Sequence, residues 1–126
     1  MTHRTTQATT AASGYASPPF AVSVTRAGPS TWFVEVQGEL DIATGPILRE
    51  HLEAHKTPSE ANGHPLNVIY TLPELEFMDS TGLHTLLTAV DGLAPETITI
   101  REPSRQVRRL LELVGLDSMI EEPRHS

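Results

Sequence analysis

Two segments near the start of the chain alternate apolar and polar residues. They are FAVSVTRA (Phe20 to Ala27) and TWFVEVQG (Thr31 to Gly38), and a period of two is typical of half-buried β-strands. A turn signal, GPS, separates them, so the pair is predicted to form a hairpin. Two later apolar segments, NVIYTL (67–72) and TITI (97–100), are predicted to be further strands.

Three other segments show the spacing of amphipathic helices. The first follows Thr44, a predicted N-cap, and carries Pro46 in its first turn, where a missing N–H costs little. The second is predicted from apolar residues spaced i, i+3, i+4 and i+7 and is expected to end at Gly92. The third is predicted to begin at a Ser104 cap and to stop at Gly115. The apolar positions are Leu83, Leu86, Leu87 and Val90 in the second helix, and Val107, Leu110, Leu111 and Val114 in the third.

The order of these elements is β-β-α-β-α-β-α without internal repeats, which predicts an α/β domain with helices covering a mixed sheet. The 126 residues, 38% of them hydrophobic, suit one domain, which we place at residues 18–122. Residues 1–17 are rich in Thr, Ala and Ser and show no periodicity, so we expect a disordered tail there. Residues 123–126 are assigned to a short C-terminal tail.

Charge and composition exclude several classes of protein. The chain has 16 acidic and 9 basic residues, a formal net charge of −7, and such a surface repels the phosphates of nucleic acids. Cysteine is absent, which excludes disulfides, thiol chemistry and cysteine-based zinc sites and fits a reducing cytosol. Apolar runs fall far short of the ~20 residues that span a bilayer, and the polar first residues do not resemble a secretion signal. We therefore expect a cytoplasmic protein that binds neither nucleic acid nor membrane.

The segment FMDSTGLHTLL, from Phe77 to Leu87, interrupts a hydrophobic run with Asp-Ser-Thr-Gly and then resumes with leucines at helical spacing. If a helix begins here, Asp79 or Ser80 is its N-cap, and the first backbone N–H groups lack intrahelical partners. The helix macrodipole then favours an anion at this end, and a phosphate ester on Ser80 would add roughly −1.5 to −2 charges. From the spacing alone, a plain capping role is favoured over a phosphorylation site.

Three motifs together resemble the STAS domain, and specifically the stand-alone anti-sigma-factor antagonists of bacterial partner-switching systems. They are GELDIATGPILREHL (38–52), FMDSTGLHTLL and, more weakly, PSRQVRRLLELVGLDSMI (103–120). They occur in the family's order, and the resemblance extends over most of the chain, from about Phe20 to Ile120. The resemblance implies a single STAS-like domain with a mixed sheet of about four to five strands and about four helices.

The resemblance also implies which residues carry the function. Ser80 occupies the position of the family's phosphorylated serine. Thr81 is a lesser candidate, because some members use threonine. Asp41 and Asp79 lie where such proteins contact the partner kinase, and Gly82 would let the partner backbone come close.

Two positions depart from the family pattern. His84 stands where the family usually has glycine, and its added bulk at the contact surface bears on which partner is bound. Thr71 replaces an acidic residue or asparagine in the strand before the motif, and its hydroxyl can still form a local hydrogen bond.

The implied activity is that of a regulatory binding protein. Unphosphorylated, such a protein binds an anti-sigma factor that is also a serine kinase of the histidine-kinase-like ATPase superfamily, and a sigma factor is thereby freed. Phosphorylation at Ser80 places a dianion in the interface and weakens binding, and a serine phosphatase resets the switch. We expect the protein itself to be a monomer. The alternative with the same fold is a ligand-sensing or scaffold module of a larger signalling complex.

The residues give little support to an enzyme or a metal site. Ser80 and His84 are i, i+4 on one predicted helix, but no G-x-S-x-G elbow is present and Asp79 is not placed to orient the histidine. HLEAH (51–55) has two histidines at a metal-like spacing, yet leucine replaces the general base of H-E-x-x-H and no third ligand is evident. A glycine-rich phosphate loop is also absent from the sequence. We therefore expect no catalytic residues, no metal and no cofactor.

Overall fold

The computed structural model describes residues 19–28, 30–56, 65, 67–90 and 93–121. Within these ranges the chain forms six strands and three α-helices. The strands are β1 (Ala21–Arg26), β2 (Thr31–Leu40), β3 (Asn67–Thr71), β4 (Leu75–Met78), β5 (Ile98–Arg101) and β6 (Ile120–Glu121). The helices are α1 (Gly45–Ala54), α2 (Ser80–Thr88) and α3 (Arg105–Leu113). The tails expected at residues 1–17 and 123–126, and the helix stop expected at Gly92, lie outside the described residues.

Strand β2 organises a mixed sheet in which the strand order is β1-β2-β3-β5-β6. β1 runs antiparallel to β2, whereas β3, β5 and β6 continue the sheet in parallel pairs. The ten residues of β2 pair in succession with β3 through residues 31–35 and with β4 through residues 38–40. Because β2 and β4 are parallel, both end at the same edge of the sheet, and each leads from there into a helix.

The predicted fold class is confirmed, and the element count differs in two ways. The hairpin β1–β2 and the strands predicted in NVIYTL and TITI are present. β4 and β6 were not predicted, because the four residues of β4, LEFM, do not alternate and β6 has only two residues. Within the described ranges there are three α-helices rather than about four, and short 3₁₀ turns, Pro95–Thr97 and Asp117–Met119, precede β5 and β6.

All three helices cover the same face of the sheet. Along β2, the even-numbered residues from Trp32 to Leu40 are buried, and the odd-numbered residues are only partly buried. The buried residues of the sheet form one core with six helical side chains, Leu48, Leu52, Leu83, Leu86, Val107 and Leu111. Burying an aliphatic side chain of this size stabilises a fold by about 1.5–3 kcal/mol, so this shared face holds each helix in place. Within the described ranges, no helix is long and apolar enough to cross a membrane.

The predicted ends of α3 are confirmed, with one correction. The Ser104 hydroxyl accepts a hydrogen bond from the Val107 N–H at 3.4 Å, and Gly115 adopts a φ of +79°, in the left-handed region that glycine tolerates. Val114, the last position of the predicted apolar spacing, does not belong to the buried stripe, since it is 48% exposed. The helix ends at Leu113, and Val114 leaves helical geometry there as the chain turns away from the core.

Candidate functional site

The corner between β4 and α2 presents Ser80 at the surface. Asp79 is the N-cap of α2, with an extended backbone, and its Oδ1 accepts a hydrogen bond from the Gly82 N–H at 2.8 Å. The sequence left open whether Asp79 or Ser80 caps this helix, and the structure assigns the cap to Asp79. Ser80 is the exposed first residue of α2. Among the described residues, its hydroxyl has no hydrogen-bond partner, so the fold makes no use of this oxygen.

Gly82 lets α2 begin directly against the end of β2. The residue is buried, and a Cβ added to it would lie 2.1 Å from the carbonyl oxygen of Leu40. Leu40 belongs to the GELD motif and Gly82 to the DSTG motif, so this contact joins the two motifs. The resemblance explained the glycine by the close approach of a partner. Packing inside the domain gives a second reason for the glycine, because this position has no room for a side chain.

The turn that follows β2 is folded around Asp41. Its Oδ1 accepts hydrogen bonds from the backbone N–H groups of Ala43 at 3.0 Å and Thr44 at 3.2 Å. The Thr44 hydroxyl accepts a hydrogen bond from the Asp41 N–H at 3.0 Å and donates one to the Glu39 carbonyl oxygen at 2.7 Å. Thr44 is the N-cap of α1 by position, as predicted, but its side chain makes no cap hydrogen bond. Its hydroxyl instead stabilises the turn from Asp41 to Thr44, which contains Ile42.

A second contact brings this turn and the Ser80 corner together. The Asp79 N–H donates to the Leu40 carbonyl oxygen at 3.4 Å, so the last residue of β2 contacts the residue that caps α2. Asp41, the residue after Leu40, therefore lies near the start of α2, and both predicted aspartates are partly buried and accept local hydrogen bonds. Thr81 and His84 are exposed on the same helix as Ser80.

An apolar groove of about 590 Å³ lies between α1 and α2, next to the Ser80 corner. It is lined by Ile42, Pro46, Arg49, Glu50, Glu53, Thr81 and Thr85. Ile42 is 75% exposed, and its side chain adds apolar surface beside the groove. The sequence reasoning missed this residue, although an isoleucine directly after GELD, outside any apolar period, was a visible signal.

Two polar contacts fix the far end of α2. The buried Tyr70 hydroxyl on β3 donates to the Leu86 carbonyl oxygen at 2.8 Å. Burial raises the pKa of this phenol well above its ordinary value, and the positive charge of Arg49 opposes the shift only in part. Arg49 itself reaches from α1 to α2 and donates to the Thr88 carbonyl oxygen and hydroxyl, both at 3.0 Å. A cation at the C-terminal end of a helix also interacts favourably with the macrodipole.

The two histidines of HLEAH are turned towards their own helix. His51 Nδ1 lies 3.3 Å from the Ile47 carbonyl oxygen, and His55 Nδ1 lies 3.0 Å from that of His51. The ring of His55 also packs edge-on against Trp32, with 6.2 Å between the ring centroids. In the part of the chain that the structure describes, no group of three or more His, Cys, Asp or Glu residues is placed to hold a metal ion. These contacts give both imidazoles a structural role within α1 and against the sheet.

A family model described as the STAS domain matches residues 23–125. The chain belongs to the STAS domain family. This agrees with the three sequence motifs, and it confirms the family that they resemble.

Among curated proteins, this STAS domain is similar to the anti-sigma-B factor antagonist of Bacillus subtilis (strain 168). The two sequences are 28% identical over 90 residues, which make up 70% of this chain and 77% of that protein.

Solved structures of anti-sigma-factor antagonists share the fold. The one from Mycobacterium paratuberculosis is 26% identical, with a TM-score of 0.63 over 80% of this chain and 82% of that chain. SpoIIAA in its unphosphorylated form is 22% identical, with a TM-score of 0.62 over 83% of this chain and 90% of that one. The Bacillus cell fate determinant SpoIIAA in its phosphorylated form is 20% identical, with a TM-score of 0.62 over 83% of this chain and 93% of that one.

The contact between Gly82 and Leu40 predicts that Gly82→Ala destabilises the domain. A methyl group 2.1 Å from a carbonyl oxygen forces α2 away from β2, and overpacking of this kind costs about 1–3 kcal/mol. Urea unfolding followed by circular dichroism measures the change in the free energy of unfolding. Ser80→Ala is the control, since an exposed substitution in the same turn should change stability by no more than about 0.5 kcal/mol. Equal unfolding curves for the two variants would show that the close contact does not exist.

Proposed function

We propose that this STAS domain is an anti-sigma-factor antagonist switched by phosphorylation of Ser80. In its unphosphorylated form it binds an anti-sigma factor that is also a serine kinase of the histidine-kinase-like ATPase superfamily, and a sigma factor is released. A serine phosphatase restores this form. The observation that carries the proposal is the exposed Ser80 hydroxyl, which the fold leaves unused at the first residue of α2.

The structure supports a modification that leaves the fold intact. Because Asp79 supplies the cap of α2, an ester on the Ser80 oxygen removes none of the hydrogen bonds described at this corner. The positive end of the helix macrodipole lies beside the new phosphate and favours its charge. Thr81, also exposed, is the lesser candidate for the same modification.

The same modification is expected to oppose partner binding. A phosphate adds roughly −1.5 to −2 charges at neutral pH, next to the carboxylates of Asp79 and Asp41. A partner that accommodates the neutral hydroxyl would have to bury this dianion, and an unpaired buried charge costs several kcal/mol. Binding and release therefore follow the charge on one side chain.

The partner-binding surface extends from Ser80 across the groove to α1. We define the switch surface as Asp41, Ile42, Ser80, Thr81 and His84, together with the acidic groove residues Glu50 and Glu53. It offers an exposed aliphatic side chain, and its three carboxylates outnumber the one guanidinium of the groove, that of Arg49, so it suits a partner that presents an apolar residue flanked by Lys or Arg.

The first test maps the modification. After incubation of the protein with ATP and an extract of its native cells, mass spectrometry is expected to locate phosphate on Ser80. Ser80→Ala should abolish most of the signal, and Thr81→Ala should leave it largely unchanged. Phosphate on neither Ser80 nor Thr81 would refute the proposed switch.

Charge at position 80 should control the affinity of the protein for the kinase that phosphorylates it. Ser80→Ala is expected to bind it like the unphosphorylated protein, because the hydroxyl makes no described contact within the fold. Ser80→Asp is expected to bind at least about tenfold more weakly, since even one unpaired charge in an interface is costly. Isothermal titration calorimetry compares the two variants, and equal dissociation constants would contradict an electrostatic switch.

Ile42 is expected to be an apolar anchor for the same partner. Ile42→Ser should weaken binding about tenfold or more, as is typical when a central interface side chain is removed. Leu113→Ser is a matched control, because Leu113 on α3 is 74% exposed, like Ile42 at 75%, but lies outside the switch surface. Both variants should unfold at the same temperature as the wild type. If the two substitutions affect kinase binding equally, the switch surface has been placed wrongly.

A further inference from the structure

Strand β4 pairs with β2 on one edge, and among the described residues the side chain of Gln106 binds its other edge. The Asp79 N–H, just after β4, points to Leu40 of β2. Backbone groups of successive residues in a strand point in opposite directions, so the N–H and C=O of Met78 point away from β2. Both are bound by the side-chain amide of Gln106 on α3: Oε1 accepts from the Met78 N–H at 2.9 Å, and Nε2 donates to the Met78 carbonyl oxygen at 3.1 Å.

The amide of Gln106 thus makes the pair of hydrogen bonds that another strand would make. The backbone of Gln106 is held in place by its helix, because Ser104 caps α3 and the side chains of Val107 and Leu111 pack in the core. The exposed position of Gln106 gives no packing reason for a glutamine. Only a side chain of this length with both a donor and an acceptor at its end satisfies both groups of Met78.

We propose that Gln106 is a positioning residue that, through Met78, holds Ser80 in the geometry that the partner recognises. Met78 is followed directly by Asp79, whose carboxylate caps α2, and then by Ser80. If the end of β4 loosens, the cap loosens with it, and Ser80 loses its fixed position beside Asp41. The proposal rests on the proposed function of Ser80, and it assigns a role to the third sequence motif, in which Gln106 lies.

The first arm of the test needs no partner. In the full chain, Gln106→Met keeps the length of the side chain but removes both hydrogen-bonding groups. Amide hydrogen exchange measured by NMR should show the Met78 N–H exchanging about tenfold faster, as expected for the loss of one backbone hydrogen bond. The amide resonances of Ser80, Thr81 and Gly82 should shift, while exchange at Val34 in the central strand stays unchanged. Arg109→Met, an exposed substitution on the same helix, should change none of these.

The second arm measures phosphorylation of Ser80 by the kinase that modifies the wild type. We expect kcat/KM to fall about tenfold in Gln106→Met and to stay unchanged in Arg109→Met, at a temperature where all variants are folded. Gln106→Glu keeps the acceptor for the Met78 N–H but loses the donor for its carbonyl oxygen, so its exchange and its kcat/KM should lie between those of the wild type and Gln106→Met.

The two arms separate this proposal from the one on which it rests. A wild-type Ser80 that is never phosphorylated refutes the proposed function, and the exchange and resonance data then decide alone whether Gln106 holds Ser80 in place. If the wild type is phosphorylated, the proposal requires both faster exchange at Met78 and a lower kcat/KM in Gln106→Met. Unchanged exchange at Met78, or unchanged kcat/KM, in Gln106→Met would overturn the positioning role.

Discussion

The candidate site depends on the contact between Gly82 and the Leu40 carbonyl oxygen. It places the N-terminus of α2 against the end of β2, and the turn around Asp41 and the exposed Ser80 therefore share one surface. Any side chain at position 82 would separate them. The two most specific motifs of the sequence are thus coupled through backbone atoms, so exposed residues on both motifs can vary without breaking the site.

Capping and presentation are divided between neighbouring residues at this corner. Asp79 takes the cap of α2 and Asp41 folds the turn before α1, each with its own carboxylate. Loss of a cap typically costs about 0.5–2 kcal/mol, so a cap residue could not be modified without a penalty in stability. Among the described contacts Ser80 and Ile42 carry no such duty, so in the proposed switch a charge gained or a side chain changed there alters recognition rather than folding.

Features set by residues close together in the chain were predictable. The period of two in β1 and β2, the helical stripes and the Ser104 cap all depend on neighbours within a few positions. The packing of Gly82 against Leu40 was not predictable, since the two residues meet only in the folded domain. The same holds for the hydrogen bonds of Gln106, because Met78 and Gln106 are 28 positions apart. The sequence motif singled out Gly82 for the approach of a partner, and its packing against Leu40 became visible only in the structure.

Strand β4 is held on one edge by β2 and on the other by the side chain of Gln106, and Ser80 follows it closely in the chain. A flexible loop could carry a phosphate equally well, so modification alone does not require β2 on one side and Gln106 on the other. Docking does require it, because each mobile side chain that is ordered on binding costs about 0.5–1.5 kcal/mol. A corner that is already ordered avoids most of that cost. In the proposed switch, the unphosphorylated state then binds tightly enough for a single added charge to decide the outcome.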